Sequence, residues 1–239
     1  TCMKNKDFKI LWNKNDVVGC NFDDLFDSTG MSIYSDGSEI CDTHYELHND
    51  WRWSDNNGSY IDVPFYYEKY NDCKKSYIPL ELIQEHSSNL KKLKIKDDIL
   101  QKVNEYSMDN MISVQIRTWA EGNPNQTHWC YKKANKRRMR YNIDKYTKVM
   151  DSFKNKNFFI TTDDYSIIDT LISKYGKDRI ITRDISLNRD RVSVDGMKNI
   201  FIDMLISSKN KILVGDYKSS FTELTWWYGG CNSKLILIK

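Results

Sequence analysis

Short apolar runs recur at regular intervals through the second half of the chain, and the segments between them have helical spacing. The runs cover residues 111–116, 157–161, 179–181, 211–214 and 234–238. Between them, apolar side chains recur three or four positions apart, as from Ile167 to Leu171 and from Phe201 to Leu205, which places them on one helix face. Buried strands that alternate with helices are typical of parallel sheets. The pattern therefore predicts an α/β fold with a parallel sheet wrapped by helices.

The first half of the chain has a less regular pattern. A strand-like run at residues 9–12 and a short helix near residues 23–26 precede a long polar and aromatic stretch. A length of 239 residues is sufficient for two compact lobes. With 3 Pro and no Ser- or Gly-rich linker, we expect a tight hinge at residues 106–110. The sequence thus predicts two lobes, residues 1–108 and residues 109–239.

Charge and composition argue against several classes of function. A net charge of +3, from 36 basic and 33 acidic residues, is too balanced for a protein that coats nucleic acid or membranes. The longest apolar runs fall far short of the roughly 18 residues of a membrane span. The 6 Cys include no CxxC pair, so neither a zinc site nor a disulfide scaffold is indicated. We expect a cytoplasmic protein with no nucleic-acid partner and no membrane span.

An arginine directly follows the first apolar run. Arg117 would stand at the carboxyl end of the first strand of the sheet, which is the edge where α/β sheets bind ligands. The planar fork of donors in an arginine suits a phosphate better than the point charge of a lysine does. The alternative is a surface arginine that pairs with a carboxylate.

A second candidate anion site follows the fourth run, where Ser219, Ser220, Phe221 and Thr222 open a predicted helix. Ser220 and Glu223 fit the spacing of a capping box. The N–H groups and the partial positive charge of a helix start attract phosphate, especially at the carboxyl end of a parallel strand. The alternative is that these residues only cap the helix.

Two hydroxyls and two carboxylates stand at the end of the second run and directly after it, at Thr161, Thr162, Asp163 and Asp164. Asp163 or Asp164 could cap the next helix, hydrogen-bond a ribose or base, or hold a divalent metal ion. The sequence contains neither an HExxH zinc motif nor a GxxxxGK[ST] phosphate loop. A P-loop kinase or ATPase is therefore not indicated.

These strand ends occur in a fixed order along the chain: Gln115-Ile116-Arg117, then residues 159–164, then residues 215–221. In that order they resemble the carboxyl-terminal lobe of the fucosyltransferase-like GT-B glycosyltransferases, which include α1,6-fucosyltransferases and protein O-fucosyltransferases. Residues 11–16 and 22–26 are also similar to the amino-terminal lobe of that superfamily. The resemblance implies a GT-B-like fold, with two Rossmann-like lobes and a cleft between them.

The resemblance also assigns a function to each lobe. Residues 1–108 would form the acceptor-side lobe, and residues 109–239 would form the nucleotide-sugar-binding lobe. The chain begins at Thr1 rather than Met, so we expect the first strand and Gly-rich loop of the amino-terminal lobe to lie upstream.

The abundance of Asn, Lys and Ile is typical of AT-rich microbial or viral genomes, which suggests the cytoplasm of a microbe or of an infected host cell.

The implied reaction is an inverting transfer of fucose from GDP-fucose to a glycan hydroxyl, with no cofactor and no metal ion. By the same resemblance, Arg117 would bind the β-phosphate of the donor. Asp163 or Asp164 would meet the nucleoside, next to Thr161. The phosphates would be cradled by backbone and hydroxyl groups of the second candidate anion site, which comprises Ser219, Ser220, Phe221 and Thr222.

An inverting displacement needs a base that accepts the proton of the acceptor hydroxyl. Glu121, shortly after the Arg117 strand end, is the first candidate, and the weaker candidates are Asp23, Asp24 and His128. Catalytic bases are recognised by geometry, so the sequence alone leaves this choice open.

The chain departs from the α1,6-fucosyltransferase pattern H-x-R-R-x-D, because Gln115, Thr118 and Ala120 replace the His, the second Arg and the Asp. Another nucleotide sugar, such as UDP-xylose, therefore remains an alternative donor. An alternative of another class is a non-catalytic carbohydrate-binding protein. In that case sugar rings would stack on aromatic residues of the first half, namely Trp51, Trp53, Tyr60, Tyr66 and Tyr67.

Overall fold

The computed structural model describes residues 9–12, 14, 18–28, 32–34, 46–47, 52–54, 60–62, 84, 87–88, 90–106, 111–118, 142–216 and 219–238. The chain divides into two compact units. The first comprises Thr1–Ile99 and Arg189–Lys198, and the second comprises Leu100–Asn188 and Asn199–Lys239. The assignment of an acceptor-side lobe to residues 1–108 and of a nucleotide-sugar-binding lobe to residues 109–239 concerns function and stays a prediction.

The first unit contains short strands. β1 (Lys9–Leu11) pairs in parallel with β3 (Ser32–Tyr34), β2 (Phe26–Asp27) pairs antiparallel with β7 (Lys94–Ile95), and β4 (Glu46–Leu47), β5 (Arg52–Ser54) and β6 (Tyr60–Asp62) form an antiparallel sheet. A 3-10 helix at Phe22–Asp24 precedes β2. Phe22 is buried and meets the ring of Trp12 edge to face, with 5.5 Å between ring centroids. Aromatic packing of this kind fixes the backbone around the 3-10 helix.

The second unit is built on a parallel sheet of five strands. They are β8 (Met111–Ile116), β9 (Asn157–Thr162), β10 (Ile180–Ile181), β11 (Ile212–Asp216) and β12 (Lys234–Ile238). The strand order across the sheet is β10, β9, β8, β11, β12. Each strand coincides with one of the apolar runs of the sequence, so the predicted α/β fold class is confirmed.

A helix precedes β8, and further helices lie between successive strands of the sheet. They are α1 (Asp97–Asn104), α2 (Ile143–Asp151), α3 (Ser166–Tyr175), α4 (Val194–Ser208) and α5 (Ser220–Tyr228). No helix in the described part of the chain is both long enough and apolar enough to cross a membrane.

The two faces of β8 differ in polarity. Residues of even number in β8, such as Ile112 and Val114, pack with Tyr146 and Met150 of α2 and with Leu171 of α3 in one apolar core. Because successive side chains of a strand point to opposite faces, the odd-numbered residues face the other way.

The odd-numbered face of β8 carries polar side chains. The hydroxyl of Ser113 donates to the backbone carbonyl of Ser207 in α4 at 3.0 Å. The amide of Gln115 donates to the hydroxyl of Thr225 in α5 at 2.8 Å. Helices α4 and α5 are therefore held against the sheet by hydrogen bonds as well as by apolar packing.

A buried ion pair joins the end of β10 to α4. Arg183 and Asp203 are 5% and 7% exposed, and the guanidinium Nη1 lies 3.1 Å from the carboxylate Oδ1. Arg183 also donates to the backbone carbonyl and the side-chain oxygen of Asn199. A buried charge is tolerated only when it is paired and hydrogen-bonded, and this site satisfies both conditions.

We expect Arg183→Leu to lower the free energy of unfolding by about 3–5 kcal/mol, because it leaves the Asp203 carboxylate buried without its guanidinium. Denaturant unfolding followed by circular dichroism measures this loss. The double variant Arg183→Leu/Asp203→Leu should be more stable than Arg183→Leu alone, since it removes both charges. A double variant that is no more stable than the single variant would contradict this account.

Candidate functional site

The order of the strands reverses between β8 and β11. From β8 the chain moves to β9 and β10 on one side, and it then places β11 and β12 on the other side of β8. All five strands are parallel, so their carboxyl ends lie at one edge of the sheet. Open α/β sheets bind ligands outside this edge at the point of reversal. Arg117 and Ser219, two of the predicted site residues, follow the two strands that flank it.

Arg117 and Thr118 extend beyond the last residue of β8, and both contact Asp163. The guanidinium Nε of Arg117 lies 3.3 Å from Oδ2 of Asp163. The other carboxylate oxygen, Oδ1, accepts hydrogen bonds from the backbone N–H of Thr118 at 2.7 Å and from its hydroxyl at 3.1 Å. The side chain of Asp163 is 9% exposed, whereas that of Arg117 is 31% exposed. The arginine therefore reaches the surface at this edge while its inner nitrogen is held by a buried carboxylate.

Asp164 turns toward the following helix instead. Its carboxylate Oδ1 accepts hydrogen bonds from the backbone N–H of Ser166 at 3.1 Å and from the Ser166 hydroxyl at 2.6 Å. Its backbone N–H donates to the hydroxyl of Thr162 at 3.1 Å. Asp164 thus accepts from the N–H of the first residue of α3, while the N-cap position is Tyr165, whose side chain makes no cap bond. Within the described ranges, no group of three or more His, Cys, Asp or Glu residues is arranged to hold a metal ion.

The helix after β11 begins one residue earlier than the sequence suggested. Ser219, rather than Ser220, is the N-cap, and its side chain accepts a hydrogen bond from the backbone N–H of Thr222. The predicted capping box of Ser220 and Glu223 was therefore wrong, because the cap bond spans residues 219 and 222. The first-turn N–H groups of Ser220 and Phe221 have no acceptor within the helix and point outward from its start. They lie in the turn that follows β11, at the carboxyl edge of the sheet.

Helix α5 packs very closely on β11 at a glycine. A Cβ atom placed on Gly215 would overlap the Cγ2 and Oγ1 atoms of Thr222. Thr222 is 1% exposed. The absence of a side chain at position 215 therefore lets the first turn of α5 approach the strand. This contact sets the position of the helix start relative to the sheet edge.

A hydrogen-bonded chain links β8 to the same helix. The Thr225 hydroxyl donates to the backbone carbonyl of Phe221 at 2.7 Å, so it accepts the hydrogen bond from the Gln115 amide. Gln115 stands opposite Thr161 in the register of β8 and β9. The end of β8 and the first turn of α5 are thus coupled through two buried side chains.

Three buried oxygens at this edge lack a hydrogen-bond partner among the described residues. They are Oε1 of Gln115, Oγ1 of Thr161 and Oγ1 of Thr222. Buried polar atoms are nearly always paired, and exceptions occur at functional sites more often than elsewhere. Thr161 and Thr222 are among the predicted site residues, whereas Gln115 was noted only as a departure from the H-x-R-R-x-D pattern.

The candidate bases are placed differently. Glu121 and His128 lie outside the described residues, as do Ala120 and the aromatic residues Trp51, Tyr66 and Tyr67. Asp23 lines a cavity of about 340 Å³ in the first unit, together with Phe26 and Lys94. Asp24 accepts a hydrogen bond from the backbone N–H of Asn21 at 2.7 Å, so it acts as part of a turn.

Comparison with known proteins supports the fold. No protein-family model and no curated protein matches the chain significantly. Among solved structures, fucosyltransferase NodZ from Bradyrhizobium is 14% identical, with 97% of this chain and 84% of that chain covered and a TM-score of 0.50. A structure of NodZ alpha-1,6-fucosyltransferase soaked with GDP-fucose is also 14% identical, with 92% and 81% covered and a TM-score of 0.46. The first of these confirms the resemblance to GT-B fucosyltransferases at the level of the fold.

We expect Gly215→Ala to lower the free energy of unfolding by about 1–3 kcal/mol, because the new methyl group would displace Thr222 and the first turn of α5. Thermal or denaturant unfolding measures the change. In a Thr222→Ala background the same substitution should cost less, since the overlapping side-chain atoms are absent. Equal costs in the two backgrounds would show that the Gly215 contact does not position α5.

Proposed function

We propose that this protein is a glycosyltransferase that transfers a sugar from a nucleotide diphosphate-sugar to a hydroxyl of a glycan. The observation that carries this proposal is the position of Arg117 and of the α5 start. They follow the two strands that flank the reversal of strand order, at the carboxyl edge of the sheet. A guanidinium and a helix start at such an edge are suited to an anionic ligand.

The diphosphate of the nucleotide sugar would be bound by two kinds of hydrogen-bond donor. The guanidinium of Arg117 offers a planar set of N–H groups that can bind two phosphate oxygens at once. The N–H groups of Ser220 and Phe221 add the favourable end of the α5 dipole, which is worth roughly 0.3–2 kcal/mol. That amount is too small to hold a diphosphate alone, so the arginine is needed. Thr161 and Thr222 would contribute hydroxyl groups beneath this site.

The same groups would accelerate the transfer. The acceptor oxygen attacks the anomeric carbon as the bond from that carbon to the diphosphate oxygen breaks, and inversion results from attack on the opposite face. Negative charge grows on the departing nucleotide diphosphate, and fixed donors stabilise that charge. The acceptor hydroxyl loses its proton to a base, for which we propose Glu121.

The donor we propose is GDP-fucose. Its support is the resemblance of the three strand ends to fucosyltransferase-like enzymes and the fold similarity to a protein named as a fucosyltransferase. Gln115 stands where that superfamily has a histidine, and its amide is buried against Thr225 rather than exposed. For this reason a UDP-sugar such as UDP-xylose is the alternative donor. We also propose that a metal ion is not needed, since Arg117 and the α5 start supply positive charge to the diphosphate.

We expect GDP to raise the melting temperature more than UDP does. At about 100 times its dissociation constant, a ligand stabilises the native state by about 2.7 kcal/mol, which corresponds to roughly 5–10 °C for a chain of this size. Arg117→Ala should abolish the shift, because it removes the guanidinium that binds the phosphates. Differential scanning fluorimetry with GDP, UDP and the two nucleosides measures these effects.

Lys177→Ala is the matched control for Arg117→Ala. Lys177 is an exposed cation that precedes β10, at the opposite edge of the sheet, so its loss should leave the GDP shift unchanged. A larger shift with UDP would favour the alternative donor. No shift with either nucleotide would reject the proposed transferase and favour a non-catalytic carbohydrate-binding protein.

We expect Glu121→Gln to reduce the rate of fucose transfer by about 10²–10⁴-fold, because the acceptor proton would have no base. The affinity for GDP should not change, since Glu121 is proposed to act on the acceptor side. Release of GDP from GDP-fucose in the presence of a glycan library measures the rate. Parallel assays with EDTA should give the wild-type rate, and a loss of activity restored by Mg²⁺ or Mn²⁺ would contradict the metal-independent proposal.

A further inference from the structure

Asp163 connects the ends of two neighbouring strands. In the register of β8 and β9, Ile116 stands opposite Thr162, so the next residues along the two strands, Arg117 and Asp163, also face each other. The distance of 3.3 Å between Nε of Arg117 and Oδ2 of Asp163 agrees with this placement. The ion pair is therefore a cross-strand contact that lies just beyond the last paired residues of the ladder.

The carboxylate of Asp163 is itself held firmly. Oδ1 accepts two hydrogen bonds from Thr118, one from the backbone N–H and one from the hydroxyl. The side chain is 9% exposed, so it has little contact with solvent. A carboxylate fixed at one oxygen by a backbone donor presents its other oxygen in a defined direction. That second oxygen contacts Arg117.

The contact uses the inner nitrogen of the arginine. Nε lies next to the aliphatic stem, and the two terminal nitrogens form the far end of the same plane. Because Oδ2 meets Nε, this ion pair constrains the guanidinium through its inner nitrogen, and the side chain is still 31% exposed. A guanidinium with a fixed plane loses less conformational entropy when it binds two oxygens of a phosphate.

We propose that Asp163 is a positioning residue, which orients Arg117 for the diphosphate of the nucleotide sugar and does not contact the nucleoside. This inference rests on the proposed function. Thr118 completes the arrangement, and it occupies the position where α1,6-fucosyltransferases have a second arginine. In this chain Thr118 thus replaces that second arginine, and it fixes the Asp163 carboxylate beside Arg117.

The two possible roles of Asp163 predict opposite effects of its neutralisation on diphosphate binding. If Asp163 acted only as a negative charge, its neutralisation would strengthen the binding of a diphosphate, because a repulsive charge would be lost. If Asp163 positions Arg117, its neutralisation weakens that binding. The direction of the change therefore distinguishes the two roles.

Asp163→Asn tests the inference, since asparagine keeps the shape of the side chain and can still accept a hydrogen bond from Thr118. We expect the affinity for the nucleoside diphosphate that the wild type binds, GDP or UDP, to fall roughly tenfold, as for other coupled pairs in contact. The affinity for the matching nucleoside should stay within about twofold. Isothermal titration calorimetry at constant salt measures both affinities.

Asp151→Asn is the matched control. The Asp151 carboxylate also accepts from two donors, Tyr175 and Lys174, but it lies at the end of α2 that leads into the amino end of β9. Its loss should not change either affinity. If Asp163→Asn does not fold, Thr118→Val provides a second test, because it removes one donor to the carboxylate and should weaken diphosphate binding about two- to threefold.

The outcomes separate this inference from the proposed function. A wild-type protein that binds neither GDP nor UDP would overturn the proposed function. A wild-type protein that binds one of them, with Asp163→Asn binding as tightly or more tightly, would overturn the positioning role alone. Equal losses of nucleoside and diphosphate affinity in Asp163→Asn would also overturn it, because they would indicate a contact with the nucleoside.

Discussion

The parallel pairing of β8 with both β9 and β11 is the constraint on which the candidate site depends. Parallel strands require crossover connections, so every strand of this sheet ends at the same edge. Because the chain places β9 on one side of β8 and β11 on the other, the helices diverge at that point. Residues far apart in sequence, at 117, 163 and 219, therefore follow strands that are neighbours in the sheet.

The difference between the two faces of the sheet explains how the site is supported. One face packs on α2 and α3 in an apolar core. The other face carries Ser113, Gln115 and Thr161, and hydrogen bonds join it to α4 and α5. The closely packed glycine at position 215 brings the α5 start against β11. The face that is hydrogen-bonded to α4 and α5 thus positions the groups that would bind the anion.

The apolar runs could be predicted because burial leaves a direct trace in the sequence. A strand buried on both faces must be apolar for several residues, and the helices must show a repeat of three or four. The polar pairs left no such trace. Asp163 and Asp164 are adjacent and chemically identical, yet one binds Arg117 and Thr118 while the other accepts from Ser166 at the start of α3. Their different positions in the strand and the turn decide this, and a sequence shows only their order.

The sequence by itself determined the α/β class, the strands of the parallel sheet and the polar residues that follow them, because each depends on local periodicity or on position after an apolar run. Tertiary structure alone decided the order of the strands, the partner of each carboxylate and the N-cap at Ser219 rather than Ser220. The partners of the carboxylates depend on cross-strand register, which brings together residues that are distant in sequence. The N-cap depends on the close contact of Thr222 with Gly215, which decides between two neighbouring serines. A pattern along the sequence does not contain information on such contacts.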